Sequence, residues 1–303
     1  MVWFQGDSDN HVRWSRDERQ FGLVFQWPGV HVLDDRRASS PPSIARVGHT
    51  TYMAWKGAND DKHIYWSTLS GYSGPLSDHP ATWSPQQSAH WLQTDTFPTL
   101  SPWNGRLLMY WKRYSTNPDP YSNDRRMVWS ELVDGQWTSP TEFDTVFRGV
   151  EGVAAAVHQG RRYLAWRGRG TDTRIHWHWF DGGHAQDGAI ADDQHTNALP
   201  SLVSDGTTLH MAWRNTDDDH ISWSTLTGPP EAPRWRPRQV LNDRRTAGSP
   251  TLGASDPGSV IMVWAGAAGD SAVWWSRFTN GQWGQQYACT DRHLDSPMRV
   301  GLL

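Results

Sequence analysis

Apolar and polar positions alternate along the chain in paired runs. HTTYMAWKGANDDKHIYWSTL (49–69) sets the plan: an alternating run ending in Trp, a polar turn rich in Gly and Asp, and a second alternating run ending near Trp-Ser. Four further segments repeat it: GRLLMYWKR (105–113) with MVWSEL (127–132), GRRYLAWRGRGTDTRIHWHWF (160–180), GTTLHMAWRNTDDDHISWSTL (206–226) and GSVIMVWAGAAGDSAVWWSRF (258–278). Period-two alternation across a polar turn predicts a β-hairpin in each. A sixth copy, MVWFQGDSDNHVRWS, opens the chain with its first strand already half spent.

The tryptophans keep the same beat. Trp3, Trp55, Trp111, Trp166, Trp213 and Trp264 end the first strands, and Trp14, Trp66, Trp129, Trp177, Trp223 and Trp275 mark the second. Trp27, Trp83, Trp137, Trp235 and Trp283 mark a third, with His184 at the fourth copy. A repeat of roughly 50 residues is that of a four-stranded propeller blade. Seventeen of the 21 tryptophans fall in these series, which predicts that they pack as flat wedges between neighbouring twisted sheets. Short inner strands precede the hairpins at PSIARV, PTLSPW, GVAAAV, PSLVSD and PTLGAS, and SPMRVGLL at the C-terminus has no hairpin after it. The expected fold is all-β: one six-bladed β-propeller domain over residues 1–303, with four-stranded antiparallel blades. Its C-terminal strand is expected to pair with the N-terminal hairpin and remove the open sheet edge.

AWKGANDDKHIYWSTL, GRLLMYWK and the phrase WSPQQ at 83–87 resemble the tandem "AWKG … IYWS" repeats of bacterial propeller proteins, grouped with sialidase-like and lectin-like propellers. The resemblance spans nearly the whole chain and implies the fold. Neither the Asp-box pattern S-x-D-x-G-x-x-W nor an early R-I-P segment is present, so it does not carry sialidase activity. Six-bladed fucose-binding lectins are similar in architecture.

Composition narrows the function classes. Net charge is −4, with Lys and Arg spread along the chain, which argues against a nucleic-acid partner. A single cysteine, Cys289, excludes an internal disulfide and a multi-Cys zinc site, and its expected place in an outer strand makes it a buried small hydrophobe. The opening residues lack a basic and apolar leader, and no apolar run reaches membrane-spanning length. A cytoplasmic protein without membrane partners is expected. Phosphate-cradling, H-E-x-x-H and G-x-S-x-G motifs are absent, and no cofactor or metal is expected.

The candidate chemistry lies in the segments that lead into each inner strand: LDDRRASSPP, WLQTDTFP, VFRGVEG, ADDQHTNALP, LNDRRTAGSP and TDRHLDSP. Read as loops ringing one central funnel, they offer Arg36, Arg148, Glu151, His195, Arg244, Arg292 and His293 as catalytic groups. Asp35, Asp95, Asp193 and Asp243 become substrate ligands, with Trp91, Trp103, Tyr114 and Tyr121 as aromatic walls. The same Asp–Arg pairs are equally suited to stitching adjacent blades. Turns such as DSDNH, NDDKH and TDDDH set carboxylates beside His without calcium-loop spacing, so their Asp residues are expected to cap their own backbone. The insertion YSTNPDPYSNDRR (114–126) is a candidate lid.

Two functions suit this pattern. One is a cofactor-independent enzyme of cyclase, isomerase or lyase type, in which Arg and His steady developing negative charge on a small natural-product-like substrate. Diversified funnel residues favour it, because a multivalent binder keeps its contacts in every copy. The alternative is a carbohydrate-binding lectin with Trp against the sugar face. The partner is accordingly a small molecule or a glycan.

Overall fold

Each run of alternating residues becomes a strand paired antiparallel with its sequence neighbour. The computed structural model describes residues 2–4, 10–15, 29–70, 82–117, 126–143, 152–181, 184–187 and 194–293. Contacts gather into two compact units, Met1–Asp144 with Val300–Leu303, and Thr145–Arg299. No described helix is long and apolar enough to cross a membrane.

The first unit holds three sheets. The N-terminal sheet has three strands: β1 (Val2–Phe4), β2 (His11–Trp14) and β3 (His31–Arg37). The next runs β4 (Ser43–Val47), β5 (Thr50–Lys56), β6 (His63–Ser70) and β7 (Thr82–Trp83), with β8 (Gln87–Gln93) also on β6. Pro85, which lacks an N–H, stands where this outer strand breaks into β7 and β8. The third runs β9 (Thr99–Trp103), β10 (Arg106–Lys112), β11 (Met127–Val133) and β12 (Gln136–Trp137), with β13 (Thr141–Glu142) on β11.

In the second unit, the fourth sheet is β14 (Ala154–His158), β15 (Arg161–Arg167), β16 (Ile175–Asp181) and β17 (His184–Asp187). The fifth is β18 (Ser201–Ser204), β19 (Leu209–Arg214), β20 (His220–Thr227) and β21 (Arg234–Trp235), with β22 (Gln239–Arg245) on β20. The sixth is β23 (Thr251–Asp256), β24 (Ser259–Ala265), β25 (Ala272–Thr279) and β26 (Gln282–Trp283), with β27 (Tyr287–His293) on β25. Among the described residues, five blades are complete, which corrects the expected six. The first sheet has three strands, and 296–303, expected to supply its inner strand, lies outside the described residues.

The second and third tryptophan series meet across sheet junctions. Trp14–Trp83, Trp66–Trp137, Trp177–Trp235 and Trp223–Trp283 are edge-to-face pairs with ring centroids 6.0–6.2 Å apart. Each joins one sheet to the outer strand of the next, and the electropositive ring edge meets the electronegative face. The first-strand series lies deeper: Trp55, Trp111, Trp213 and Trp264 are fully buried. Inner strands are joined as well. Ser43 Oγ accepts the Leu100 N–H at 2.9 Å, and Ser201 Oγ accepts that of Leu252 at 3.0 Å.

In NDDKH and TDDDH the aspartates cap their own turns, as expected, with Asp218 accepting the His220 N–H at 3.1 Å, whereas Asp7 and Asp9 of DSDNH lie outside the described residues. Asp61 accepts the His63 N–H at 3.0 Å and the Tyr65 hydroxyl at 2.9 Å, and Asp172 accepts the Arg174 N–H and binds His176 Nε2. Asp270 accepts the Ala272 N–H and Trp274 Nε1–H. No group of three metal-ligating side chains occurs among the described residues. The capping carboxylate explains the glycine four residues earlier: a Cβ on Gly57 would lie 2.3 Å from the Asp61 carboxylate, and one on Gly168 2.4 Å from that of Asp172. Gly57→Ala is expected to lower the unfolding free energy by about 1–3 kcal/mol through this overlap. A urea midpoint equal to that of the parent would show that the carboxylate leaves the turn at no cost.

Candidate functional site

The repeated Asp-Arg-Arg segment, DDRR at 34–37 and NDRR at 242–245, is strand, not loop. In β3 and β22 the pairing jumps: His11 faces Arg37 while Val12 faces Leu33, and His220 faces Arg245 while Ile221 faces Leu241. Asp34, Asp35 and Arg36, like Asn242, Asp243 and Arg244, therefore form a bulge with no opposite residues. A bulge re-aims its side chains. Here it buries the first arginine against the next sheet and leaves the aspartate out: Arg36 and Arg244 are each 3% exposed. The Asp35 and Asp243 side chains are 62% and 61% exposed.

What the buried residue meets is the carbonyl just after the next sheet's outer tryptophan. Arg36 Nη2 donates to Ser84 O at 2.5 Å, and Arg244 Nη2 donates to Gly284 O and to Ser276 Oγ at 3.3 Å. Gln194, in the corresponding place, donates to Arg236 O at 3.4 Å. Leu92 packs there in the apolar cluster with Trp66 and Trp137, and Thr138 O is taken by Ser130 Oγ at 2.6 Å. The expectation that Arg36 and Arg244 present catalytic guanidinium groups to one shared funnel is corrected: each closes on the neighbouring sheet of its own unit. Burial lowers both pKa values, against which the adjacent aspartate acts.

Asp95 belongs to a second repeated contact. Four residues before an inner strand, Ser39 accepts from Lys56 Nζ at 2.7 Å, and Asn197 accepts from Arg214 Nη1 at 2.8 Å. Asp95 lies 4.0 Å from Lys112 Nζ in the same register. In the sixth sheet both positions, Ala247 and Ala265, are apolar. Cation and acceptor change together, so part of the diversity read as a specialised funnel is a set of local ties between loop and strand. His195 Nδ1 meets Thr173 Oγ1 at 2.9 Å in such a tie.

The remaining candidates scatter. Trp91 is half-buried against the third sheet's core, 6.4 Å from the Trp111 ring, and Trp103 is half-buried at the end of β9. Tyr114 donates its N–H to Gln93 O, with Lys62 Nζ 5.9 Å from its ring. Arg148, Glu151, Asp193 and Tyr121 lie outside the described residues, as does most of the 114–126 insertion. For Arg292 and His293 only the strand backbone is described. Cys289 is buried, as expected.

One cleft of about 430 Å³ opens beside the first bulge, between the first and second sheets. Trp14, Val32, Leu33, Trp83 and Pro85 form its apolar lining, and His31, Asp35, Arg36 and Thr82 its polar one. The exposed His31 ring stacks on Trp14 with centroids 4.7 Å apart and planes 25° apart. Arg36 Nη1 is buried without a hydrogen-bond partner, and so is Ser67 Oγ. Ser67 stands in the register of Ser276, which Arg244 does engage. The two Asp-Arg-Arg junctions therefore differ: that of Arg244 is closed, whereas that of Arg36 keeps buried polar capacity unspent beside a cleft. Alternation and motif repetition marked Asp35 and Arg36. They did not mark His31, Thr82 or Pro85, which lie outside the repeated segment.

Neither a family model nor a curated protein matches the chain. Solved structures do. A variant of Aleuria aurantia lectin in complex with Fucα1-6GlcNAc is similar with a TM-score of 0.65 at 14% identity, over 94% of this chain and 90% of that one. The same lectin with α-methyl-L-fucoside gives 0.64 at 13%, over 98% and 92%. AofleA from Arthrobotrys oligospora gives 0.63 at 10%, over 95% and 82%. The fold is a β-propeller. At these identities the likeness shows the propeller and nothing finer.

Proposed function

We propose that this propeller is a carbohydrate-binding protein and that the cleft beside the first bulge holds the sugar. The observation that carries this is the cleft itself, where the exposed Asp35 carboxylate and the His31–Trp14 stack stand together beside the buried Arg36. A sugar has an apolar C–H face and a rim of hydroxyls. A ring face plus a carboxylate complements both, the carboxylate accepting hydroxyl protons while the ring meets the C–H face. The lectin complexes among the similar structures support this reading, while the engagement of Arg244 with Gly284 and Ser276 weakens the case for a cyclase or isomerase pocket.

The test is titration calorimetry of the full chain against monosaccharides, α-methyl-L-fucoside among them. Binding is expected, and Asp35→Asn should weaken it at least tenfold with an unchanged urea midpoint, since the carboxylate is mostly in solvent. Absence of binding across the panel, or equal affinity in the variant, overturns the assignment.

A further inference from the structure

A second polar cluster, in the second unit, has no part in the cleft. The turn after β18 carries Asp205, whose Oδ1 accepts the Thr207 and Thr208 N–H groups at 2.8 and 2.7 Å and the Thr207 hydroxyl at 2.8 Å. Its Oδ2 lies 3.0 Å from His210 Nε2, with side-chain exposures of 3% and 2%. The backbone of the same residue reaches the sixth sheet, where Gly258 N–H donates to Asp205 O at 3.1 Å. From the fourth sheet, His158 Nδ1 meets Ser204 Oγ at 2.9 Å. Three successive sheets thus converge on Ser204, Asp205 and His210.

We propose that this junction is an acid-sensitive latch: His158 through Ser204 and His210 through Asp205 hold the fourth, fifth and sixth sheets together, and the tie at His210 lasts only while that ring is neutral, so mild acid loosens the second unit.

At His210 the geometry leaves a second proton no place. Asp205 requires a donor, which fixes the His210 proton on Nε2 and leaves Nδ1 as a lone pair. Nδ1 is buried with no hydrogen-bond partner among the described residues, between Trp223 on β20 and Phe278 on β25. A second proton would create a buried N–H without an acceptor, in an imidazolium removed from water. The charged groups that act on the two rings are few. Asp205 acts on both and His210 on His158, while Arg161, opposite His158 on β15, turns its guanidinium to Pro230 O. Tyr163 on β15 stands 6.4 Å from His158, with its phenol pushed up by burial and so neutral. Arg277 on β25 turns to Ser259 Oγ at 2.7 Å, and the Asp256 side chain lies outside the described residues.

The direction follows from linkage. Burial lowers both histidine pKa values below 6.5, and the attraction of Asp205 only partly offsets it. The unfolded chain takes up protons as pH falls through about 6.5, while the folded protein does not until lower pH. Stability contributed by the two neutral rings is therefore complete above about pH 6.5 and declines below it. Asp205, pulled to about 2 by its hydrogen bonds against the opposing effect of burial, stays ionised throughout that window. Its contribution, present above about pH 4, is lost only as pH falls towards 2.

Hydrogen exchange on the full chain at pH 7.5 and 5.0, corrected for intrinsic rates, tests this. Protection in β14, β18 and β19 is expected to fall at least tenfold at pH 5.0, with less change in β5 and β10. His158→Gln/His210→Gln, which keeps an amide donor for Asp205 and cannot titrate, should remove that difference. An equal pH response in the double variant, or equal loss in both units, overturns the latch. If the double variant does not fold, NMR titration of the parent decides: a His210 ring titrating in the folded protein near pH 6.5 sinks the proposal.

Discussion

Trp223→Ala is expected to lower the unfolding free energy by about 3–5 kcal/mol, the range for deleting a buried large aromatic ring. The ring is 7% exposed and meets three others: Phe278 at 5.1 Å, Trp283 edge-on at 6.1 Å, and His210 nearly parallel at 6.2 Å. Two of these belong to the sixth sheet, so the truncation opens a void at a junction rather than within one sheet. Neighbouring strands cannot collapse into that void, because both backbones are pinned by hydrogen-bonded ladders. Trp223→Phe should cost less, because a ring face remains for Trp283 while the indole's second ring is lost. Urea unfolding at pH 7.5 with matched slopes checks both. A loss below about 1 kcal/mol for the alanine variant would mean that the tryptophan series decorates the sheets rather than joining them.

That series was legible in the sequence because its two signals agree. Alternation placed Trp14, Trp66, Trp177 and Trp223 on one strand of each hairpin, and a spacing of roughly 50 residues placed their partners one blade on. The capping turns were legible for the same reason: Asp two residues before a strand N–H has a local acceptor role wherever it occurs. The arginines were not. Alternation assigns side chains to faces only while register is kept, and the bulge at Asp34–Arg36 breaks it. Within an Arg-Arg pair, nothing in residue type says which member crosses to the next sheet. The cleft was hidden for a related reason: His31 and Arg36 share a strand, but Thr82 and Pro85 come from the next sheet, and their approach is a matter of packing. Asp95 is the converse case. Its likeness to a substrate ligand dissolved once Ser39 and Asn197 were found in the same register with their own cations.

Asp205→Ala is expected to cost about 3 kcal/mol or more, the second large effect in this molecule. The carboxylate serves two backbone N–H groups, a hydroxyl and an imidazole from a place 3% exposed. Removing it strands donors that water reaches poorly, at about 1–3 kcal/mol for each group left unpaired. Asp205→Asn separates the carboxylate's two roles. Its remaining oxygen still accepts the Thr207 and Thr208 N–H groups, but its amide would turn N–H against the His210 Nε2–H. The ring can relieve that contact by moving its proton to Nδ1, which has no acceptor. An intermediate cost of about 1–2 kcal/mol is therefore expected for asparagine, read from urea midpoints at pH 7.5. Equal losses in the two variants would place the whole contribution on the charge. No loss in asparagine would mean that the imidazole proton is already free to sit on either nitrogen, and the single-tautomer basis of the latch would fall with it.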